Sequence, residues 1–240
     1  MFRHRGKSRT LAHNLKLASL LSFVAGIVNV SGLFAVHRLT TNVTGHFAFF
    51  ADLLIQKDIL QAGVYLLFIV CFLAGAFSSN LLVELVLRFN ERYINIIPVG
   101  TEILILSSIA MCATKTIQTY PNTIACLLLF AMGLQNALVT SLSNAVVRTT
   151  HLTGLFTDLG IELSQLFFYK EAQQRERLFS SIRLRMTIIT WFFLGGISGG
   201  YGFQFFHIKI LLFAAAILLV GLIYDNLRLR LVLLRRKHFR

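Results

Sequence analysis

The stretch LASLLSFVAGIVNVSGLFAVHRLTTNVTGHF, residues 17–47, decides how this chain is built. Its opening run, Leu17–Val36, carries no charge and has about the 20 residues that a helix needs to cross the hydrocarbon core of a bilayer. Secretory leaders have apolar cores of only about 7–15 residues, so a retained first helix is expected in spite of the basic start. The run then gives way to Thr40-Thr41-Asn42-Val43-Thr44-Gly45-His46-Phe47. The same element returns in the second half as Thr149-Thr150-His151-Leu152-Thr153-Gly154-Leu155-Phe156.

The rest of the chain has the character of that first run. Hydrophobic residues make up 56% and charged ones only 14%, against about a quarter charged in soluble domains, and mean hydropathy is +0.71. A soluble fold is therefore not expected. A net charge of +13 would suggest nucleic acid only if it formed a basic face on a soluble scaffold. Instead, sixteen of the 23 Lys and Arg fall in three clusters: residues 3–16, residues 170–185 and residues 228–240. All three lie outside the apolar runs, as expected of cytoplasmic segments that retain positive charge. Cys71, Cys112 and Cys126 sit inside apolar runs at unrelated spacings and read as small buried hydrophobes, not metal ligands.

Apolar runs recur at Leu17–Val36, Gly63–Leu87, Ile94–Ala113, Ile124–Val147, Met186–Phe206 and Ile208–Tyr224. They are too long for barrel strands and do not alternate, so the expected fold is an all-α bundle with six spanning helices. Two further segments, Thr41–Ile55 and Thr150–Tyr169, are shorter or more polar and carry acids in their interiors. An acid at mid-membrane costs about 2.5–3.5 kcal/mol even on a lenient scale, so both segments are expected to enter the membrane only part-way. Residues 17–115 and 122–226 then form two membrane repeats of one domain. A basic segment at 1–16 and a basic tail at 227–240 lie in the cytoplasm, the membrane being the inner one.

Three matches in order support the duplication: Ala25-Gly26-x-x-Asn29 with Met132-Gly133-x-x-Asn136, the two threonine elements, and Phe72-Leu73-Ala74-Gly75 with Phe193-Leu194-Gly195-Gly196. Three spans per repeat is an odd number, which inverts the second repeat relative to the first. Inverted repeats recur in secondary transporters, where broken helices meet near the midplane.

These blocks resemble the YoaK-like multi-pass membrane proteins of bacteria, a family whose domain has no assigned function. The resemblance rests on Ala25-Gly26-x-x-Asn29, Thr41-x-x-Thr44-Gly45, Gly133-Leu134-Gln135-Asn136-Ala137 and Arg148-Thr149-Thr150-x-x-Thr153-Gly154, and spans residues 17 to 225. It implies a membrane location and no particular activity. The chain departs from the family pattern at Asn29, where Asp is usual, and at His46, where Asn is usual.

In a Thr-x-x-Thr-Gly element that opens a short helix, Thr41 or Thr150 can cap the helix, and the first N–H groups face outward for an anion. The glycine lets a ligand approach the backbone. On this reading Asn29, Thr41, Thr44, Gly45, Gln135, Asn136, Thr150, Thr153 and Gly154 form a substrate site, and Asp52, Glu102 and Asp158 are candidates for proton or ion coupling. On the plainer reading the threonines and amides hold helices together. His46 and His151 stand at different offsets from their glycines, which argues against a shared metal. No Gly-x-Ser-x-Gly, His-Glu-x-x-His or Walker loop occurs, so neither catalysis nor a cofactor is expected.

The leading functional expectation is a small-solute permease with a lean toward anions. The rival is a membrane scaffold or assembly factor that uses its glycine faces and basic tail to bind a membrane protein or anionic lipid, and deleting residues 235–240 separates the two. The bilayer, a small solute and a second copy of the chain are the expected partners, with no nucleic acid. The span count is open to accessibility labelling of single cysteines at positions 57, 115 and 148. Six spans put Lys57 and Lys115 outside and Arg148 inside, and eight put them the other way round.

Overall fold

The computed structural model describes residues 10–88 and 95–238, with side chains placed through Leu227. The basic residues at 3–9, Arg92 and the side chains of the basic tail lie outside that description. Every described element is helical: α1 (Leu11–Val36), α2 (Val43–Ile55), α3 (Ile59–Leu87), α4 (Ile96–Ala110), α5 (Thr114–Thr119), α6 (Pro121–Ser143), α7 (Leu152–Gln165), α8 (Ala172–Phe206) and α9 (Ile210–His238).

Four stretches are long and apolar enough to cross a membrane: Leu11–Val36, Ile59–Leu87, Pro121–Ser143 and Ala172–Leu227. The last contains both final expected spans. It breaks at His207, whose φ of 49° cannot continue a right-handed helix, and a 3-10 turn over His207–Lys209 leads into α9. The expected third span is shorter than the sequence suggested. Helix α4 has 15 residues, about 22 Å at 1.5 Å per residue, against a core about 30 Å thick. Helices α2 and α7, of 13 and 14 residues, are also too short to cross.

Helices α1 and α6, which precede the two threonine elements, are the most enclosed of the long helices, while α3 turns most of its surface outward. Large apolar side chains such as Leu73, Phe77, Phe193 and Phe205 stay exposed on α3 and α8, as a lipid-facing surface requires.

Each central helix packs against the outer helix of the other half: α1 along α8, and α6 along α3. Phe23 meets Trp191 edge-on at 5.8 Å and Phe34 meets Phe203 at 5.7 Å, so α1 and α8 run in the same direction. At the crossing, a Cβ on Gly26 would collide with the Phe192 carbonyl, and one on Gly195 with the Phe23 carbonyl. The second pair repeats this contact, Gly133 against the Phe72 carbonyl and Gly75 against that of Phe130. Lipid offers no hydrophobic drive for helix association, so close backbone approach at small residues supplies it.

The contacts also correct the sequence register. Phe72-x-x-Gly75 corresponds to Phe192-x-x-Gly195, one residue earlier than the alignment on Phe193 and Gly196. The paired glycines at 195 and 196 made both alignments available, and only Gly195 lies on the Phe23 carbonyl.

Alanine at Gly26, Gly75, Gly133 or Gly195 should therefore lower stability by about 1–3 kcal/mol through overpacking. At Gly63 and Gly160 a Cβ meets nothing within 4 Å, and there alanine should be neutral or stabilising. Thermal unfolding of the purified protein in detergent compares the two groups.

Candidate functional site

The threonine elements are tied to the helices that precede them. Thr41 donates to the Asn29 side-chain oxygen at 2.9 Å. In the second half, Asn136 donates its amide to the Thr150 hydroxyl, while Thr149 donates to the Asn136 oxygen at 3.2 Å. Thr40 and Thr149 are buried, and Thr40 donates to the Val28 carbonyl at 3.3 Å. A polar side chain on an apolar helix must find a partner, and Asn29 and Asn136 find theirs in the turn that the helix feeds.

With their hydroxyls committed, Thr41 and Thr150 do not cap the short helices. The N-cap of α2 is Asn42, whose side chain accepts from the Gly45 N–H at 2.9 Å. The N-cap of α7 is His151, which makes no side-chain cap bond. Each cap residue also explains the glycine three positions on. A Cβ on Gly45 would press on the Asn42 side chain, and one on Gly154 would strike the His151 ring.

Both helix starts open into one cavity of about 700 Å³. Asn29, Thr41, Asn42 and Thr44 line it from the first half, and Thr150, His151, Thr153 and Asp158 from the second. Phe72 and Phe192, whose carbonyls receive Gly133 and Gly26 at the crossings, form apolar wall. First-turn N–H groups have no partner inside their own helix. Since α7 lacks a cap bond, its start leaves more of them open than that of α2 does.

Not every residue singled out from sequence reaches this cavity. Gly154 does, whereas Gly45 does not, its N–H being held by Asn42. Gln135 donates instead to the Leu21 carbonyl at 3.0 Å, joining α6 to α1. Asn136 stands behind the wall, holding Thr149 and Thr150. Of the three acids, Asp158 lines the cavity. Asp52 is on the outer face of α2, accepting from Gln56 one turn on at 2.9 Å. Glu102 lies 1% exposed within α4, away from the cavity.

The sequence reading missed the basic side of the site. Arg185 of α8 donates to Asp158 and to Glu162, each at 2.8 Å, and Ser181 donates to the other Glu162 oxygen at 2.5 Å. Asp158, Ser181 and Arg185, with Arg148, line a second hollow of about 500 Å³ that shares His151, Gly154 and Asp158 with the cavity. Arg148 makes no ion pair or hydrogen bond among the described residues. The corresponding junction in the first half is aromatic. Tyr65 stacks on Phe49 at 5.1 Å, with His46 and Phe68 packed against it and the Arg38 guanidinium 5.4 Å from its ring centre.

A family model described as a protein of unknown function, DUF1275, matches residues 17–224. The chain belongs to the DUF1275 family. That match runs from the first apolar stretch to the end of the last one, so the cavity and both crossing pairs of this DUF1275 member fall inside it. No curated protein and no solved structure matches the chain.

If the Asn–Thr ties set the shape of the cavity, replacing Asn136 by Leu should strand the hydroxyls of two threonines and cost about 1–3 kcal/mol. A double-mutant cycle between Asn29→Ala and Thr41→Val should give a coupling of about 0.5–1.5 kcal/mol. Both are read from thermal unfolding in detergent, and additivity in the cycle would show that the tie is idle.

Proposed function

We propose that this DUF1275 protein, of the YoaK-like kind, is a small-solute permease of the bacterial inner membrane with both termini in the cytoplasm. The observation that carries this reading is the convergence of both threonine elements on a single cavity. Two separately encoded copies of one element meet where neither is needed to fill space. That is how transporters place a solute between broken helices of two halves.

The helix pairing supports an inverted relation between the halves. Helices α1 and α8 are parallel, and α3 and α6 repeat their contact atom for atom. If α3 returns across the membrane after α1, α6 runs opposite to α1. Six crossings follow if the bilayer thins locally around α4, which is too short for a core of ordinary thickness.

The solute is a small anion. Two helix starts offer N–H groups to the cavity, the hydroxyls around them add further donors, and Arg148, unpaired among the described residues, stands in the adjoining hollow. Asp158 is the acid placed to couple a proton or cation to this movement. It borders the cavity and is held by Arg185, so an entering anion competes with Asp158 for the guanidinium.

Flux of short anions such as acetate, phosphate and ethanesulfonate into proteoliposomes tests the reading. The Thr44→Val/Thr153→Val double variant should lose at least tenfold of the flux, and Arg148→Gln should raise the concentration for half-maximal uptake. Equal flux in wild type and double variant for every solute overturns the proposal.

A further inference from the structure

Three hollows adjoin one another around α7, and the order of their chemistries describes a ligand. The central cavity is polar. On one side it shares His151, Gly154 and Asp158 with the hollow that holds Arg148 and Arg185. On the other it shares Leu152 and Phe192 with a groove of about 610 Å³ between α1, α7 and α8. That groove is walled by Phe34, Phe156 and Ile197 and has Gly200 in its floor. It opens to the outer surface, since Phe156 is 57% and Phe193 65% exposed. The sequence guanidinium, hydroxyls and N–H groups, then bare hydrocarbon matches an anionic head followed by an alkyl chain.

An ordinary lipid-facing surface would explain the groove if the first half carried the same feature. There α2 lies closely along α3, and His46, Phe49, Tyr65 and Phe68 fill the junction with their rings. Helix α7 is tied to α8 by the Arg185 ion pairs instead, and the space beside them stays open. Leu152 and Phe192 line both the open groove and the polar cavity, so the two adjoin at these side chains. Such a passage suits one chain and not the paired chains of a phospholipid.

We infer that the ligand is a single-chain anionic amphiphile, which enters sideways between α7 and α8 with its head in the polar cavity toward Arg148 and its chain in the groove. This rests on the proposed reading of the cavity as a solute site. Each methylene removed from water adds roughly fourfold to affinity, so chain length becomes the main determinant of selection, and the hydroxyls set which heads are accepted.

The test uses the full chain in nanodiscs of neutral lipid and decanesulfonate bearing a diazirine at its chain end, with labelled residues located by mass spectrometry. Labelling at Phe156, Phe193 and Ile197 should saturate. Excess plain decanesulfonate should suppress it at least tenfold, ethanesulfonate should not, and Gly200→Leu, whose Cβ meets only side-chain atoms at 3.4 Å or more, should remove it. Labelling that does not saturate and falls equally on outward residues of α3 overturns the inference, as does suppression only by a two-chain anionic phospholipid. In either of those cases ethanesulfonate flux that still depends on Thr44 and Thr153 leaves the permease reading standing. Absence of any such flux removes that reading as well.

Discussion

The close crossing of backbone on backbone, Gly26 with Gly195 and Gly75 with Gly133, is the contact on which everything else in the fold depends. In lipid an apolar side chain gains nothing by leaving one hydrocarbon surface for another. Helices must therefore be held by van der Waals contact at short range, and only glycine permits it where a carbonyl lies over the Cα. Because each crossing joins a central helix of one half to an outer helix of the other, it also fixes Phe72 and Phe192 in the wall of the cavity. The polar site is thus set by apolar contacts. The Asn–Thr ties then fold the two turns inward from helices already in place.

The two halves use the same scaffold with different glue. The same number of residues past the motif glycine stand Phe49 in one half and Asp158 in the other. The same number before the crossing glycine stand Tyr65 and Arg185. An aromatic stack fixes α2 to α3, whereas an ion pair fixes α7 to α8. Ring packing is insensitive to solutes, while a guanidinium held by carboxylates can exchange them for another anion. The halves therefore differ in how readily their short helix is released.

Much of this was legible in the sequence, and the losses have physical reasons. Run length and absence of charge gave the long helices, and the recurrence of Thr-Thr-x-x-Thr-Gly marked both sides of the cavity. The sequence also singled out Asn29 and Asn136, but not that each bonds to its own threonine turn, because a contact across a turn leaves no periodicity. Several polar residues stood near each helix start, so spacing did not tell which capped it, and Asn42 and His151 were passed over for Thr41 and Thr150. Membrane acids were chosen on the cost of burying them. That cost says nothing of direction, so Asp52, Glu102 and Asp158 looked alike until one of them faced the cavity. Arg185 falls in the basic cluster 170–185, which has the appearance of cytoplasmic charge whether or not it borders a hollow, and Arg148 stands alone with no spacing that marks it. Phe72 and Phe192 did have a signal: Phe-x-x-Gly occurs at all four crossing positions.

The exchange of helices between the halves has a consequence for how the protein is made. A ribosome delivers α1 and α3 to the membrane well before α6 and α8 exist, so the first two long helices arrive with bare glycine faces and no partner. They cannot complete a contact with each other that belongs to the later half. Assembly must wait until synthesis is nearly finished, with the early helices kept apart from other membrane proteins in the meantime. The corollary is that the halves are obligate companions. Expressed as two separate pieces divided near Pro121, each would be an incomplete bundle, and only together in one membrane would they regain all four glycine contacts.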